Sequence, residues 1–128
     1  MTDFSSALSL SASALRAQAA RLRHVSENIA NADTPGYRRK TVTFESNPSS
    51  ADVSVSVGPV QLDQRELKSV FDPGHPLADE NGNYQGSNVD LIIEIADARE
   101  AQRSYEANLK MFDQTRQMSD SLLELLRK

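Results

Sequence analysis

Hydrophobic side chains recur every seven residues through the N-terminal quarter of the chain. Leu8, Leu15, Leu22 and Ile29 form this repeat, and alanines fill many of the positions around it. A sevenfold repeat places these residues on one narrow face of a helix, as in a coiled coil. We therefore predict a long N-terminal amphipathic helix whose apolar face packs against another helix.

A second amphipathic pattern fills the C-terminal third of the chain, and no Gly or Pro follows Gly86. Apolar side chains advance there in alternating steps of three and four residues, with polar gaps at Gln102 and Arg116. Ser87 and Asp90 resemble a capping box at its start. We predict one helix of about 40 residues, roughly 60 Å long. The N-terminal helix can cover only part of its apolar face, so other subunits must cover the rest.

A strong turn signal ends the first helix. Pro35 lacks a backbone donor and moves Thr34 away from helical angles. Pro followed by Gly36 is typical of a type II turn. The chain therefore leaves the helix in a new direction, where we expect Tyr37 to contact the C-terminal helix.

Short strand-like alternations and turn formers separate the two helical patterns. Residues 41–45 and 53–57 alternate as strands do, residues 47–50 read as a loop, and the run Asp72–Pro76 cannot be helical. We predict a mainly α fold in which long N- and C-terminal helices pair as a coiled-coil-like hairpin, with a short extended or β insert. Its three parts, residues 1–35, 36–87 and 88–128, form one structural unit.

Composition excludes several classes of protein. Only 38% of the 128 residues are hydrophobic, which favours an elongated or partner-dependent helical protein over a compact globule. The absence of Cys excludes disulfides and thiolate metal sites, and no apolar run is long enough to span a membrane. Acidic residues outnumber basic ones in the middle of the chain, which argues against a nucleic-acid partner. No cleaved signal peptide is visible.

The sequence offers weak candidates for chemistry. Asp72, His75, Asp79 and Glu80 form a short cluster, but its turn formers favour an ordinary loop over a metal site. The run Arg38–Lys40 is interpreted as a solvated or interfacial basic patch. We predict no catalytic, cofactor-binding or metal site.

The segment at the end of the first helix carries the most specific pattern in the chain. Asn28-Ile29-Ala30-Asn31-Ala32-Asp33-Thr34-Pro35-Gly36-Tyr37 strongly resembles the N-terminal signature of flagellar rod, hook and related axial proteins of bacteria. Two further stretches resemble proximal-rod members of the flagellar basal-body rod family. The first is Asp72–Pro76 with Ala78 and Asp79, and the second is Asn88–Asp90 followed by Glu94 and Arg103–Asn108. The signature residues are Asn28, Ile29, Ala30, Asn31, Ala32, Thr34, Pro35, Gly36 and Tyr37, and the insert-loop residues are Asp72, Pro73, His75 and Pro76.

The resemblance implies a non-enzymatic structural subunit of the flagellar basal-body rod. That rod is a tube that crosses the periplasm, transmits motor torque and houses the export channel. Relatives are exported by the flagellar type III apparatus without a cleaved signal peptide. The implied partners are further copies of the chain, proximal and distal rod subunits, and the basal adaptor at the membrane ring. The implied assembly seam, within and between subunits, contains Leu8, Leu15, Leu22, Ile29, Ile95, Tyr105, Leu109, Phe112, Leu123 and Leu126.

Three alternative functions remain open from the sequence. They are another short rod subunit of the same family, a cytoplasmic helical adaptor or chaperone, and a small enzyme that uses the Asp72–Glu80 loop. If the chain is a rod subunit, we expect its helices to become ordered as neighbours bury them. Polar gaps at Gln18, Gln102 and Arg116 are then expected to fix the register of the helices.

Overall fold

The fold is an antiparallel pair of long helices with small β-hairpins between them. A computed structural model describes residues 2–46 and 53–127, so the loop predicted at residues 47–50 lies outside the described residues. Helix α1 spans Thr2–Ala30 and helix α2 spans Leu91–Arg127. The mainly α hairpin predicted from the sequence is confirmed.

The two helices differ in length and run in opposite directions. Their 29 and 37 residues correspond to about 44 and 56 Å. Arg21 binds Asp97, and further along α1 Asn28 binds the earlier residue Glu94, which makes the pairing antiparallel. Because α2 is eight residues longer, its last two turns, residues 120–127, extend past the start of α1 and are exposed. We call this segment the overhang.

The insert between the helices contains three two-stranded antiparallel sheets in the described residues. Each is small, so the insert has little interior of its own and depends on α1 for support. The first and second sheets contact α1, and the amide of Val55 donates to Oγ of the buried Ser13 over 3.0 Å. The strands are β1 (Lys40–Thr41), β2 (Phe44–Ser46), β3 (Val55–Val57), β4 (Gln61–Leu62), β5 (Ser69–Phe71) and β6 (Asn83–Gln85), paired β1–β4, β2–β3 and β5–β6.

The interior of the helix pair consists mainly of small side chains. Among the described residues, the buried hydrophobic ones are Ala17, Val25, Val89 and Ala101. Small residues let two helix backbones approach closely, but they remove little apolar area from water. The packing between α1 and α2 is therefore close and only moderately stabilising.

Local signals determine where the first helix ends and how the second begins. Gly36 has φ +75°, and the amide of Tyr37 donates to the carbonyl of Thr34 over 3.2 Å, which is the expected type II turn. At the second helix the capping residue is Asp90, whose Oδ1 accepts from the amide of Ile92 over 3.0 Å. Ser87 does not cap α2, because its hydroxyl donates to the carbonyl of Ala32 and accepts from the amide of Val89, which lies before the helix.

The face of α2 that contacts α1 differs from the stripe predicted by periodicity. Its contact face is marked by the buried Glu94 and Ala101, whereas the predicted seam residues Ile95 and Leu109 lie beside it and are 47% and 40% exposed. Tyr105 and Phe112 belong both to the predicted stripe and to the contact face, and their side chains are half-buried. The helix pair thus leaves a strip of apolar surface uncovered.

Candidate functional site

Asn28, in the signature segment, is the centre of a buried hydrogen-bond network. It is 1% exposed, and its carbonyl oxygen accepts from the Tyr37 hydroxyl over 2.8 Å and from the Lys40 amide over 2.9 Å. Its amide group donates to the Lys40 carbonyl over 2.9 Å and to Oε2 of Glu94 over 3.3 Å. One side chain therefore holds the turn, strand β1 and helix α2 together.

Glu94 is a fully buried carboxylate, and Arg39 neutralises it. Nε of Arg39 binds Oε1 of Glu94, and Nη2 binds Oδ2 of Asp97 over 2.9 Å. Asp97 also accepts from Arg21 of α1 over 3.1 Å. A buried carboxylate requires such partners, because removing one of them leaves an uncompensated charge away from water. We call Asn28, Tyr37, Arg39, Glu94 and Asp97 the polar junction.

Further bonds attach the insert to the polar junction. Oδ1 of Asn88 accepts from the Arg39 amide over 2.7 Å, while its amide group donates to the carbonyls of Asp63 and Arg65. Nη1 of Arg38 donates to the same two carbonyls over 3.1 Å. The run Arg38–Lys40 is therefore half-buried and bonded within the chain. This contradicts the solvated alternative for the basic patch, and the interfacial alternative stays a prediction.

Three pKa shifts reflect the environment of this region. Lys40 Nζ lies 2.9 Å from Oε2 of Glu27, and this bond lowers the pKa of Glu27 and raises that of Lys40. Burial raises the pKa of the Tyr37 hydroxyl. That hydroxyl donates to Oδ1 of Asn28 in α1. The Tyr37 carbonyl accepts from the amide of Asn88, just before α2, over 3.4 Å. Tyr37 thus anchors the turn to the helix it leaves.

The remaining signature residues lie at the end of α1 and in the turn that follows it. Asn31 donates to the Glu27 carbonyl over 2.8 Å and accepts from the Thr34 hydroxyl over 3.1 Å. The amide of Gly36 donates to the carbonyls of Gln85 and Gly86, which joins the turn to β6. Ala32 and Pro35 are half-buried, and Ile29 and Ala30 are exposed.

The predicted assembly seam divides into covered and uncovered positions. Its half-buried members are Leu8, Leu15, Leu22, Tyr105 and Phe112. Ile29, Ile95, Leu109, Leu123 and Leu126 are exposed, with exposed fractions from 38% to 76%. The assignment of the second group to contacts between subunits stays a prediction.

The insert loop forms a turn-rich hairpin around a stacked pair of rings. The rings of His75 and Tyr84 stack with centroids 3.9 Å apart, and Nδ1 of His75 accepts from the Leu77 amide over 3.1 Å. Asp72, Pro73 and Pro76 are exposed. Within residues 2–46 and 53–127, no group of three or more His, Cys, Asp or Glu side chains is arranged to hold a metal ion. In the same residues, no helix is both long and apolar enough to cross a bilayer.

Two family models match the chain at its two ends, where the helices and the polar junction lie. Residues 8–38 match the model described as "Flagella basal body rod protein", and residues 80–125 match "Flagellar basal body rod FlgEFG protein C-terminal". The flagellar basal-body rod protein FlgC of Agrobacterium fabrum is 46% identical over 136 residues, covering 99% of this chain and 98% of the relative. The chain belongs to the FlgC family of flagellar basal-body rod proteins.

More distant FlgC proteins match over nearly the same length. FlgC of Salmonella typhimurium is 37% identical over 91% of this chain and 92% of the relative. FlgC of Bacillus subtilis is 36% identical over 98% of this chain and 99% of the relative. The resemblance to rod proteins read from the sequence is thus confirmed.

In this FlgC-family chain, sequence reasoning identified Asn28 and Tyr37 but missed the charged half of the junction. Arg39 belongs to the run Arg38–Lys40, for which the sequence predicts no partner, and the hydrophobic pattern of α2 assigns no role to Glu94 or Asp97. One signal could have found them, since Glu94 lies seven residues before Ala101 and therefore on the same face of α2. An acidic residue on a contact face implies a basic partner.

Proposed function

We propose that this chain is a structural subunit of the proximal part of the flagellar rod, and that it has no enzymatic role. We place it in the flagellar basal body, because its relatives are named flagellar basal-body rod proteins. In this proposal the chain polymerises with other rod subunits into the tube that crosses the periplasm, transmits torque and encloses the export channel. It reaches that site through the flagellar type III export apparatus.

Uncovered apolar surface on α2 is the observation that carries the proposal. Ile92 and Ile95 are 80% and 47% exposed near the start of the helix, and Met118 and Leu125 are 53% and 67% exposed near its end. We call Ile92, Ile95 and Ala96 the N-terminal patch, and Met118, Leu122 and Leu125 the C-terminal patch. Contiguous exposed apolar surface marks sites that contact other proteins.

The two patches suit a polymer better than a closed dimer. They lie roughly 40 Å apart along α2, and 3.6 residues per turn puts them on sides of the helix about 90° apart. A patch of one subunit that contacts a different patch on the next makes a heterologous contact, which propagates into a helical assembly when the rotation does not close. This arrangement supports assembly into a tubular rod.

The test is incorporation into basal bodies of cells whose own FlgC-family gene is deleted. Ile92→Asp is expected to abolish motility and incorporation, because a charge in the patch opposes burial against a neighbour. Purified Ile92→Asp should keep the helical content of the unchanged protein, because Ile92 is largely exposed in the single chain. Gln64→Asp, also exposed but in the insert, is the matched control and should remain motile.

Two outcomes would contradict the proposal. Motile cells whose basal bodies contain Ile92→Asp at normal levels would show that the N-terminal patch is not an assembly surface. Absence of the unchanged chain from purified basal bodies would exclude a rod role and favour a helical adaptor.

A further inference from the structure

Exposed basic side chains follow one side of α2 near its start. Arg99, Arg103 and Lys110 are separated by four and seven residues, and all three are exposed. These spacings place side chains on the same side of a helix. One acidic residue, Glu106, lies among them, and it accepts from Gln102 over 3.5 Å. We call Arg99, Arg103 and Lys110 the basic stripe.

Exposed acidic side chains follow one side of α2 near its end. Asp113, Asp120 and Glu124 are separated by seven and four residues, so they also share a side of the helix, and all three are exposed. We call them the acidic stripe. The basic residues of this segment, Arg116 and Arg127, lie on the side of α2 opposite the C-terminal patch, because each residue advances the helix by about 100°.

The basic stripe continues from the N-terminal patch. Arg99, Glu100 and Arg103 line one groove together with that patch. The carboxylate of Glu100 lies 3.5 Å from Nη2 of Arg21 on α1, which partly offsets its charge. A molecule that covers the N-terminal patch therefore meets mainly positive charge.

The acidic stripe borders the C-terminal patch. Gln117 lines the groove of that patch, and it lies four residues after Asp113 and seven before Glu124, on the same side of α2. Within residues 2–46 and 53–127, no ion pair involves a side chain of either stripe. Both stripes therefore present their charges to a neighbouring molecule.

We propose that the C-terminal patch of one copy of this chain docks on the N-terminal patch of a second copy, with the acidic stripe against the basic stripe. This contact rests on the proposed rod function and specifies which surfaces of two copies meet. The apolar patches bury each other, and the opposite charges select this pairing, because two like stripes would repel each other.

The positions of the two patches make the contact repeat. They lie roughly 40 Å apart along α2 and about 90° apart around it. A straight helix therefore cannot place both patches against one partner helix, and each copy uses them on two different neighbours. Such a head-to-tail contact adds copies one after another.

Cross-linking tests the contact directly, because the chain contains no native Cys. Ala96 in the N-terminal patch and Ser121 beside the C-terminal patch are exposed. Within one chain they lie about 37 Å apart along α2, so a short thiol cross-linker can join them only between copies. In basal bodies, Ala96→Cys with Ser121→Cys should give dimers and longer multimers of the chain.

Single cysteines provide the matched controls. Ala96→Cys alone and Ser121→Cys alone should each stay monomeric after cross-linking, because position 96 meets position 121 and not its own copy. Cells that express both single variants should yield dimers but no longer multimers. Mass spectrometry identifies the joined residues.

Charge reversal tests whether the stripes recognise each other, in cells whose own FlgC-family gene is deleted. Arg99→Glu with Arg103→Glu should lower incorporation into basal bodies about tenfold or more, because like charges then oppose each other. Asp120→Lys with Glu124→Lys should do the same, and all four substitutions in one chain should restore incorporation. Arg99→Lys with Arg103→Lys keeps the charge and should incorporate normally. Circular dichroism should show unchanged helical content, because these side chains are exposed.

Several results would overturn the proposal while leaving the rod function intact. One is a cysteine pair that gives only monomers, or products with another rod subunit, in basal bodies that contain the chain. Others are normal incorporation of either reversal, poor incorporation of the lysine variant, or failure of the fourfold variant to restore it. Absence of the unchanged chain from basal bodies would instead contradict the rod function and this contact together.

Discussion

Gly36 and Gly82 are the glycines of the described chain that have positive φ angles, 75° and 82°. An L side chain in this region costs about 1–2 kcal/mol. At Gly36 a Cβ would meet nothing within 4 Å, whereas at Gly82 it would lie 2.9 Å from Cγ of Pro73 and 3.0 Å from Cε2 of Phe71. We predict that Gly82→Ala destabilises the protein more than Gly36→Ala does.

Urea denaturation of the two alanine variants measures this difference. Gly74→Ala is the control, because a Cβ there would meet only a side-chain oxygen of Asp72 at 3.7 Å, an ordinary contact. Equal midpoints for Gly36→Ala and Gly82→Ala would show that the rings beside Gly82 move away without cost.

A second residue-scale prediction concerns Asp63 and Arg65. Nε and Nη2 of Arg65 donate to Oδ2 of Asp63 over 2.9 and 2.7 Å, and these bonds lower the pKa of Asp63 from 3.8 to about 2. A carboxyl whose pKa is lowered by folding stabilises the fold above its unfolded pKa. That contribution is lost as the pH falls from about 4 to about 2.

Removing the Arg65 guanidinium should therefore raise the pKa of Asp63. We predict that Arg65→Gln returns it toward 3.8, as measured by the pH dependence of the side-chain carboxyl carbon in NMR. Arg99→Gln removes a charge of the same sign on α2 and should leave the pKa of Asp63 near 2. An unchanged Asp63 pKa in Arg65→Gln would show that another group stabilises its charge.

At the scale of elements, the close approach of α1 and α2 depends on small residues. Ala101 is completely buried, whereas Ala107 on the same helix is exposed. We predict that Ala101→Leu destabilises the protein by about 1–3 kcal/mol, because extra methylene groups in a filled interface force the helices apart. Ala107→Leu should change stability little. Thermal unfolding monitored by circular dichroism at 222 nm compares the two, and similar midpoints would contradict close packing at Ala101.

A structural feature is predicted well from sequence when the residues that determine it are close together in the chain. The turn at Thr34–Tyr37 depends on Pro35 and Gly36 alone, and the sequence predicted its type. The bonds from Asn28 and Arg39 to Glu94 join residues 66 and 55 positions apart, and periodicity carries no information about such pairs.

Small residues also explain why periodicity alone does not locate the contact face of α2. Hydrophobic periodicity gives weight to large side chains such as Ile95 and Leu109, which lie beside the contact face and are exposed. The contact with α1 instead runs along Glu94 and Ala101. The sequence therefore predicted two paired helices correctly, but it could not assign which apolar residues face α1 and which stay available to other subunits.

At the scale of the whole molecule, the single chain leaves one end of its longest helix without support. Residues 120–127 extend beyond α1 with their leucines exposed, while residues 94–112 pack against α1. Helical segments without tertiary contacts open readily, since most helical stability in proteins comes from packing. The overhang should therefore become stable only when a neighbouring subunit covers it.

Hydrogen exchange measured by mass spectrometry can follow the overhang before and after assembly. We predict that the amides of residues 120–127 exchange fastest within α2 in the dilute chain, and that residues 94–112 are protected. On association at high concentration, protection of the overhang should rise while that of residues 94–112 changes little. Leu125→Asp, which places a charge in the C-terminal patch, should prevent the rise. Strong protection of the overhang in the dilute chain would instead mean that α1 already covers it, which contradicts both the observed register and assembly through the overhang.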